Sequence, residues 1–289
     1  MNGILNVYKP TGITSFDVVR KIRKISNVKK VGHAGTLDPE ASGVLLVCIG
    51  KATKAIDFIM GDFKIYETEL KLGVITDTYD REGKILKETE VIASEEEVIK
   101  AIRTFIGEIK QIPPMYSALK VNGKKLYELA RAGIEIEREA RNIVIYSIDI
   151  TEVKSPYVKF RVKCSKGTYI RSLCYDIGEL LKCGGMMWNL ERTAIGGFNV
   201  ENSINIDDLN VENINENIMP IENIFQNNTK ITVEDRIIKF LLNGVVVKDK
   251  ALTCKFKVDS TYSIYNNEND FVGIANKSND GVKLIKSFI

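Results

Sequence analysis

At 289 residues, 44% apolar and 27% charged, the chain can hold one large domain or two smaller ones around a packed core. Its first residues lack a signal-peptide core and no apolar run reaches transmembrane length. The five scattered cysteines (Cys48, Cys164, Cys174, Cys183, Cys254) and single histidine form no C-x-x-C pair or zinc set, so a reduced cytoplasmic protein without membrane span or structural metal is expected. The net charge of +3 is uneven: residues 199–228 carry −6 and the remainder +9, which suits a polyanionic partner or is simply an uneven solvated surface.

Residues 4–8 read as a short strand, followed by the turn Lys9-Pro-Thr-Gly-Ile-Thr-Ser15 and a helix capped at Thr14 or Ser15. Phe16, Val19, Ile22 and Ile25 are the expected buried face of that helix. Its other face carries Arg20, Lys21, Arg23 and Lys24, and residues 14–31 sum to +5, a surface suited to phosphate contacts or to plain solvation. The helix leads into Val31-Gly-His-Ala-Gly-Thr-Leu-Asp-Pro-Glu-Ala-Ser-Gly-Val-Leu45, which holds the only histidine, His33, and a buried-looking carboxylate, Asp38. Pro39 forces Asp38 out of the helical region, so the loop presents one carboxylate at a fixed angle. Three readings stay open on local pattern: a turn in which Asp38 caps backbone N–H groups, a phosphate cradle with the wrong glycine spacing, and a catalytic carboxylate.

The run Val44–Ile49 reads as a buried strand and residues 52–60 as a helix. Lys64 to Leu72 alternates as a strand containing Tyr66, and Thr76 to Gly83 is a polar turn containing Asp80. Ser94-Glu-Glu-Glu97 is a capping box opening a helix with Val98, Ala101, Ile102, Phe105 and Ile106 inward. Between about 110 and 140, basic and aromatic residues interleave (Tyr116, Lys120, Lys124, Lys125, Tyr127, Arg131) around an Asn122-Gly123 turn, a mixture that can grip RNA. Strands at 142–153 and 157–164 precede Lys166-Gly-Thr-Tyr-Ile-Arg171 and a helix burying Ile170, Leu173, Cys174, Ile177, Leu180 and Leu181. The acidic, Asn-rich 199–228 segment reads as a linker. Residues 232–243 form an amphipathic helix stopped by Gly244, and 245–289 read as a small β-barrel.

Gly32-His-Ala-Gly-Thr-Leu-Asp-Pro-Glu-Ala-Ser-Gly43 closely resembles the central motif of the TruB family of pseudouridine synthases, which modify uridine 55 in the T loop of tRNA. Lys9-Pro-x-Gly-x-x-Ser15, the Lys64-x-Tyr66 to Asp80 block and Lys166 to Arg171 resemble three further motifs in the family's order. The 110–140 stretch resembles its insertion over the T stem-loop. The resemblance implies an α+β pseudouridine-synthase fold, with a mixed, mostly antiparallel sheet and flanking helices over residues 1–228. It implies a small β-rich PUA-like RNA-binding unit at 229–289. It also implies Asp38 as the catalytic residue, Arg171 as the arginine that keeps Asp38 ionised and oriented, and Tyr66 stacked on the target base. His33 would fill the space the flipped base leaves. Lys9, Arg20, Lys64, Asp80, Tyr116, Lys120, Lys124, Arg131, Tyr169 and Leu190 are the further expected RNA contacts, in a cofactor-free, metal-free monomer acting on tRNA. Two departures stand out: Met186 replaces the usual histidine, and Glu191 replaces the first of an arginine pair. A non-catalytic tRNA-folding protein and a synthase of this fold acting on another RNA are the rivals.

Overall fold

The computed structural model describes residues 1–121 and 123–289, so Asn122, half of the expected tight turn, lies outside the described residues. Strand β1 (Gly3–Lys9) leads to helix α1 (Ser15–Ser26), β2 (Val31–Ala34), β3 (Ser42–Ile49), a 3-10 turn, α2 (Ile56–Gly61) and β4 (Lys64–Leu72). A ribbon of β5 (Val74–Thr76) and β6 (Ile85–Glu88), helix α3 (Glu95–Arg103) and β7 (Gly107–Gln111) follow. The insertion holds β8 (Lys120–Val121), β9 (Lys124–Lys125) and α4 (Leu126–Arg131). Strands β10 (Arg141–Lys154) and β11 (Tyr157–Cys164), helix α5 (Ile170–Leu180), β12 (Gly185–Ile195), β13 (Phe198–Asn199), β14 (Ile204–Asn205) and α6 (Ile214–Asn217) complete the larger part. The remainder is β15 (Thr229–Thr232), α7 (Asp235–Leu242), α8 (Lys250–Thr253), β16 (Thr261–Tyr265), β17 (Phe271–Ser278) and β18 (Gly281–Ser287).

The main sheet runs β14-β1-β3-β12-β4-β11-β10-β7, with β2 beside β3 and β13 beside β12. Its pairings are antiparallel except β1 with β14 and β3 with β12, so it is mixed and mostly antiparallel. Apolar burial explains the layers. In β3 every residue from Gly43 to Ile49 is buried, because α1 covers one face and the 3-10 turn with α2 covers the other. In β4 the alternation turns Lys64, Tyr66, Thr68, Leu70 and Leu72 inward, against the core that α3 and α5 close. The expected capping box forms at Ser94 with Glu97, and the expected cap of the first helix is Thr14, which makes a capping box with Asp17.

Four expectations are corrected. Helix α1 buries Ser15, Val18, Val19 and Ile22, while Phe16 is 54% exposed. Steps of three along a helix each fall 60° short of a full turn, so Phe16 and Ile25 lie on opposite sides. Ile106 sits beyond the end of α3 and is exposed, and Leu180 ends α5 facing solvent. The C-terminal strands form an open sheet, β15-β16-β17-β18, rather than a barrel: α7 covers one face, and the span that would supply a closing strand folds as α8. Among the described residues no helix is long and apolar enough to cross a membrane.

Phe225, 6% exposed, joins the two sheets. Its ring meets Phe58 at 5.1 Å between centroids, Phe288 at 5.8 Å and Phe271 at 5.9 Å. Truncating a buried phenylalanine leaves a cavity among rings that cannot collapse, so Phe225→Ala should destabilise the protein by about 3–5 kcal/mol. Urea unfolding checks this, and an unchanged midpoint would show that the cluster does not hold the two sheets together.

Candidate active site

The loop between β2 and β3 has little secondary structure of its own, yet it is held from three sides. The Ser15 hydroxyl at the start of α1 donates to Leu37 O at 3.0 Å and accepts from Leu37 N–H at 2.9 Å. Lys9 Nζ donates to Pro39 O at 3.0 Å, and to Pro10 O and Ile13 O. From β12, Arg192 donates to Gly35 O, Thr36 O and Val44 O. Gly43 has no room for a side chain: a Cβ there would stand 2.3 Å from Arg192 O, and its φ of +104° is already costly for other residues. Asp38 at the loop's apex is 38% exposed at its side chain, not buried as its surroundings in the sequence suggest.

Arg171, the first residue but one of α5, reaches this carboxylate. Its Nε lies 3.0 Å from Asp38 Oδ2, and its Nη2 donates to Asp38 Oδ1 at 3.3 Å, a two-point fork. Its Nη1 meets Asp80 Oδ2 at 3.4 Å and Thr78 O at 3.3 Å, and Nη2 also donates to Tyr116 O at 2.7 Å. The start of α5 is fixed by Ser172 Oγ donating to Ile112 O and by the Gln111 amide, which bonds both the N–H and the C=O of Tyr169. Burial pushes the Asp80 carboxyl above its ordinary pKa, opposed by the Thr78 hydroxyl and by Arg171. Tyr66 is 9% exposed. Burial raises its phenol pKa, which Arg192, its cross-strand neighbour, opposes. His33 lies in β2 with a buried Nδ1 lacking a hydrogen-bond partner. Burial, then Arg192, hold its pKa below the usual value, so the ring is neutral.

The structure therefore brings Asp38, Arg171 and Asp80 into contact and sets Tyr66 on the adjoining core face. It moves three expected RNA contacts inside. Lys9 is fully buried among backbone carbonyls. Lys64 is 7% exposed and donates to Met60 O and Asp62 O, because it shares the inward face of β4 with Tyr66. Asp80 is committed to Arg171 and Thr78. Leu190 is half-buried against the main core, and Tyr169 and Tyr116 are half-buried. Lys120, Lys124 and Arg131 stay exposed on the insertion, and Arg20 is exposed on α1 beside Asp17. Arg192 is a buried member of the site that carries no mark in the sequence beyond being the second residue of a departed arginine pair. Its place directly across from Tyr66 is set by the sheet register, which leaves no local signal in the sequence.

Solved structures share this architecture. A Cbf5–Nop10–Gar1 complex contains a chain that superposes with a TM-score of 0.74 at 28% identity, covering 99% of this chain and 85% of that one. An H/ACA ribonucleoprotein bound to a substrate RNA containing 2′-deoxyuridine gives 0.72 at 26% identity. The fold is the α+β pseudouridine-synthase fold. The model described as "TruB family pseudouridylate synthase (N terminal domain)" matches residues 23–170, and that described as "tRNA pseudouridylate synthase B C-terminal domain" matches 171–226. A protein of Clostridium acetobutylicum named tRNA pseudouridine synthase B is 58% identical over 286 residues, 99% of each chain. One of the same name from Alkaliphilus oremlandii is 53% identical over 84% of this chain and 82% of its own. This chain belongs to the TruB family of pseudouridylate synthases.

Burial lowers Lys64 from its ordinary 10.5 to about 8. Between those values the unfolded chain holds a proton that the folded chain has released, so folding gains stability as pH rises through the window and loses it as pH falls through about 8. Lys64→Met lacks this dependence. The wild-type stability relative to Lys64→Met should therefore rise from pH 8 to pH 10.5 in urea titrations, and a flat difference would contradict the burial effect.

Proposed function

We propose that the chain converts uridine 55 in the T loop of tRNA to pseudouridine, with Asp38 as the catalytic carboxylate. One observation supports this above the others: Asp38 is accessible from outside while a buried arginine grips both of its oxygens. The reaction breaks the C1′–N1 bond, turns the uracil and forms a C1′–C5 bond. N1 gains a proton and C5 loses one, so nothing is oxidised and no group departs, and the chemistry calls for no cofactor. Asp38 acts at C1′, as nucleophile or as the countercharge to an oxocarbenium-like centre. The planar fork of Arg171 fixes the carboxylate's angle, a geometry a lysine cannot reproduce.

The target base must leave its stack, at a cost of a few kcal/mol. Tyr66 stacks on it, and burial keeps the phenol protonated while it does so. Neutral His33, half-buried in β2, fills the vacated space. The exposed Lys120, Lys124 and Arg131 of the insertion and Arg20 of α1 contact phosphates of the T stem-loop. Residues 1–228 form the catalytic unit and 229–289 a small RNA-binding appendage in a cytoplasmic monomer. The names carried by the relatives, tRNA pseudouridine synthase B, support the choice of tRNA.

Tritium release from a T-loop hairpin labelled at uracil C5 tests the reading. Wild type should release tritium, whereas Asp38→Asn should bind the hairpin with similar affinity and release none. Turnover by Asp38→Asn would remove Asp38 from the chemistry. Arg171→Lys should lose about two orders of magnitude in rate, as expected when a two-point contact that positions a reacting group is lost.

A further inference from the structure

We propose that Arg192 is a positioning residue for the isomerisation, holding the Asp38 loop and the Tyr66 strand in one frame. The inference rests on the roles given above to Asp38 and Tyr66. Four observations carry it.

Arg192 is 1% exposed, and among the described residues no carboxylate lies within ion-pairing distance of its guanidinium. A buried cation without a counter-ion is expensive, and an apolar side chain of similar volume would pack the same space at lower cost. Something other than packing must account for it. Secondly, its backbone hydrogen bonds go to one short stretch: Nε to Val44 O at 2.8 Å, Nη2 to Gly35 O at 3.0 Å and Nη1 to Thr36 O at 3.4 Å, while its guanidinium also hydrogen-bonds the Tyr66 side chain. These carbonyls flank the loop that carries Asp38, so the planar fork sets the loop's height and tilt.

Thirdly, Arg192 is the shared neighbour of two strands. It pairs with Gly43 of β3 on one side and with Tyr66 of β4 on the other. The β3–β12 ladder has only two residue pairs, Glu191 with Ser42 and Arg192 with Gly43, so this residue is half of the join between the strand bearing Asp38's loop and the rest of the sheet. Fourthly, the β12–β4 register slips directly after it, between Arg192 and Ala194. Bulges re-aim side chains beside reacting centres, and this one turns the guanidinium under the loop. The positive field of Arg192 also reaches His33 and Lys64, adding to the burial that holds each below its usual pKa.

The test uses the full chain and an unmodified tRNA transcript, reading single-turnover pseudouridine formation, tRNA affinity and thermal midpoint together. Arg192→Lys keeps the charge but not the fork, Arg192→Gln loses both, and Gly35→Ala keeps Arg192 while straining the backbone that it holds, at a φ of +89°. Leu209→Ala, a core truncation packed with α1 and Ile206, supplies a destabilised control remote from Asp38. Arg192→Lys and Gly35→Ala should slow the single turnover by about 100-fold, the scale set by small misplacements of reacting groups. Arg192→Gln should be slower still, tRNA affinity should hold throughout, and Leu209→Ala should lose stability but keep its rate. A wild-type rate in Arg192→Lys and Arg192→Gln, or a rate loss in Leu209→Ala equal to theirs at matched stability, overturns the proposal. If the Arg192 variants fail to fold, Gly35→Ala decides alone: a wild-type rate there overturns it. A wild type that forms no pseudouridine would instead overturn the functional reading beneath it.

Discussion

A buried guanidinium between two carboxylates is the constraint on which the rest of this structure depends. Arg171 is 6% exposed and meets Asp38, Asp80 and the carbonyls of Thr78 and Tyr116. Removing a charge from water is unfavourable unless its hydrogen bonds are remade inside, and here they are. The arrangement explains several features that otherwise look unrelated. The polar turn after β5 exists to deliver Asp80 and the Thr78 carbonyl. The 111–117 segment leaves the sheet so that Tyr116 O can reach the same arginine. Helix α5 begins with no side-chain cap of its own; the Gln111 amide serves the Tyr169 backbone there.

Around that centre the protein uses cations as internal fittings. Lys9, Lys64 and Arg192 all turn their charged ends toward backbone carbonyls, and all three are less than a tenth exposed. Most of their partners are carbonyls of loops and element ends, so the side chains supply hydrogen bonds there that no ladder provides. A loop fixed in this way can leave its apex open without becoming loose. Asp38 is thus accessible at its side chain while a two-point fork and a braced loop fix its position.

This also marks where the sequence was informative. The alternation of Lys64 to Leu72, the cap at Thr14, the capping box at Ser94 and the buried run Val44–Ile49 all follow from local pattern, and each forms as expected. The Asp38 and Arg171 motifs met across 133 residues, a proximity that no local pattern encodes. Direction was harder to read than position. Charged residues are rarely buried unless paired, which makes Lys9 and Lys64 look outward-facing in the sequence. Yet period two places Lys64 with Tyr66 on the core face, and the pattern should have outweighed the charge. Phe16 shows the reverse error: its apolar ring suggested burial, while the 100° step of the helix carries it outward.

The narrow join between β3 and β12 has a consequence for how the chain reaches working form. Asp38 hangs from one side of it, and Tyr66 and Arg171 belong to the other. Until two residue pairs zip together there, the newly made polypeptide owns a carboxylate and a guanidinium but no site, because Asp38 and Arg171 stand 133 residues apart and meet across this join. Reactivity and completeness thus arrive in the same event. A molecule without that join has no assembled site, so the seam serves as the protein's own certificate of assembly.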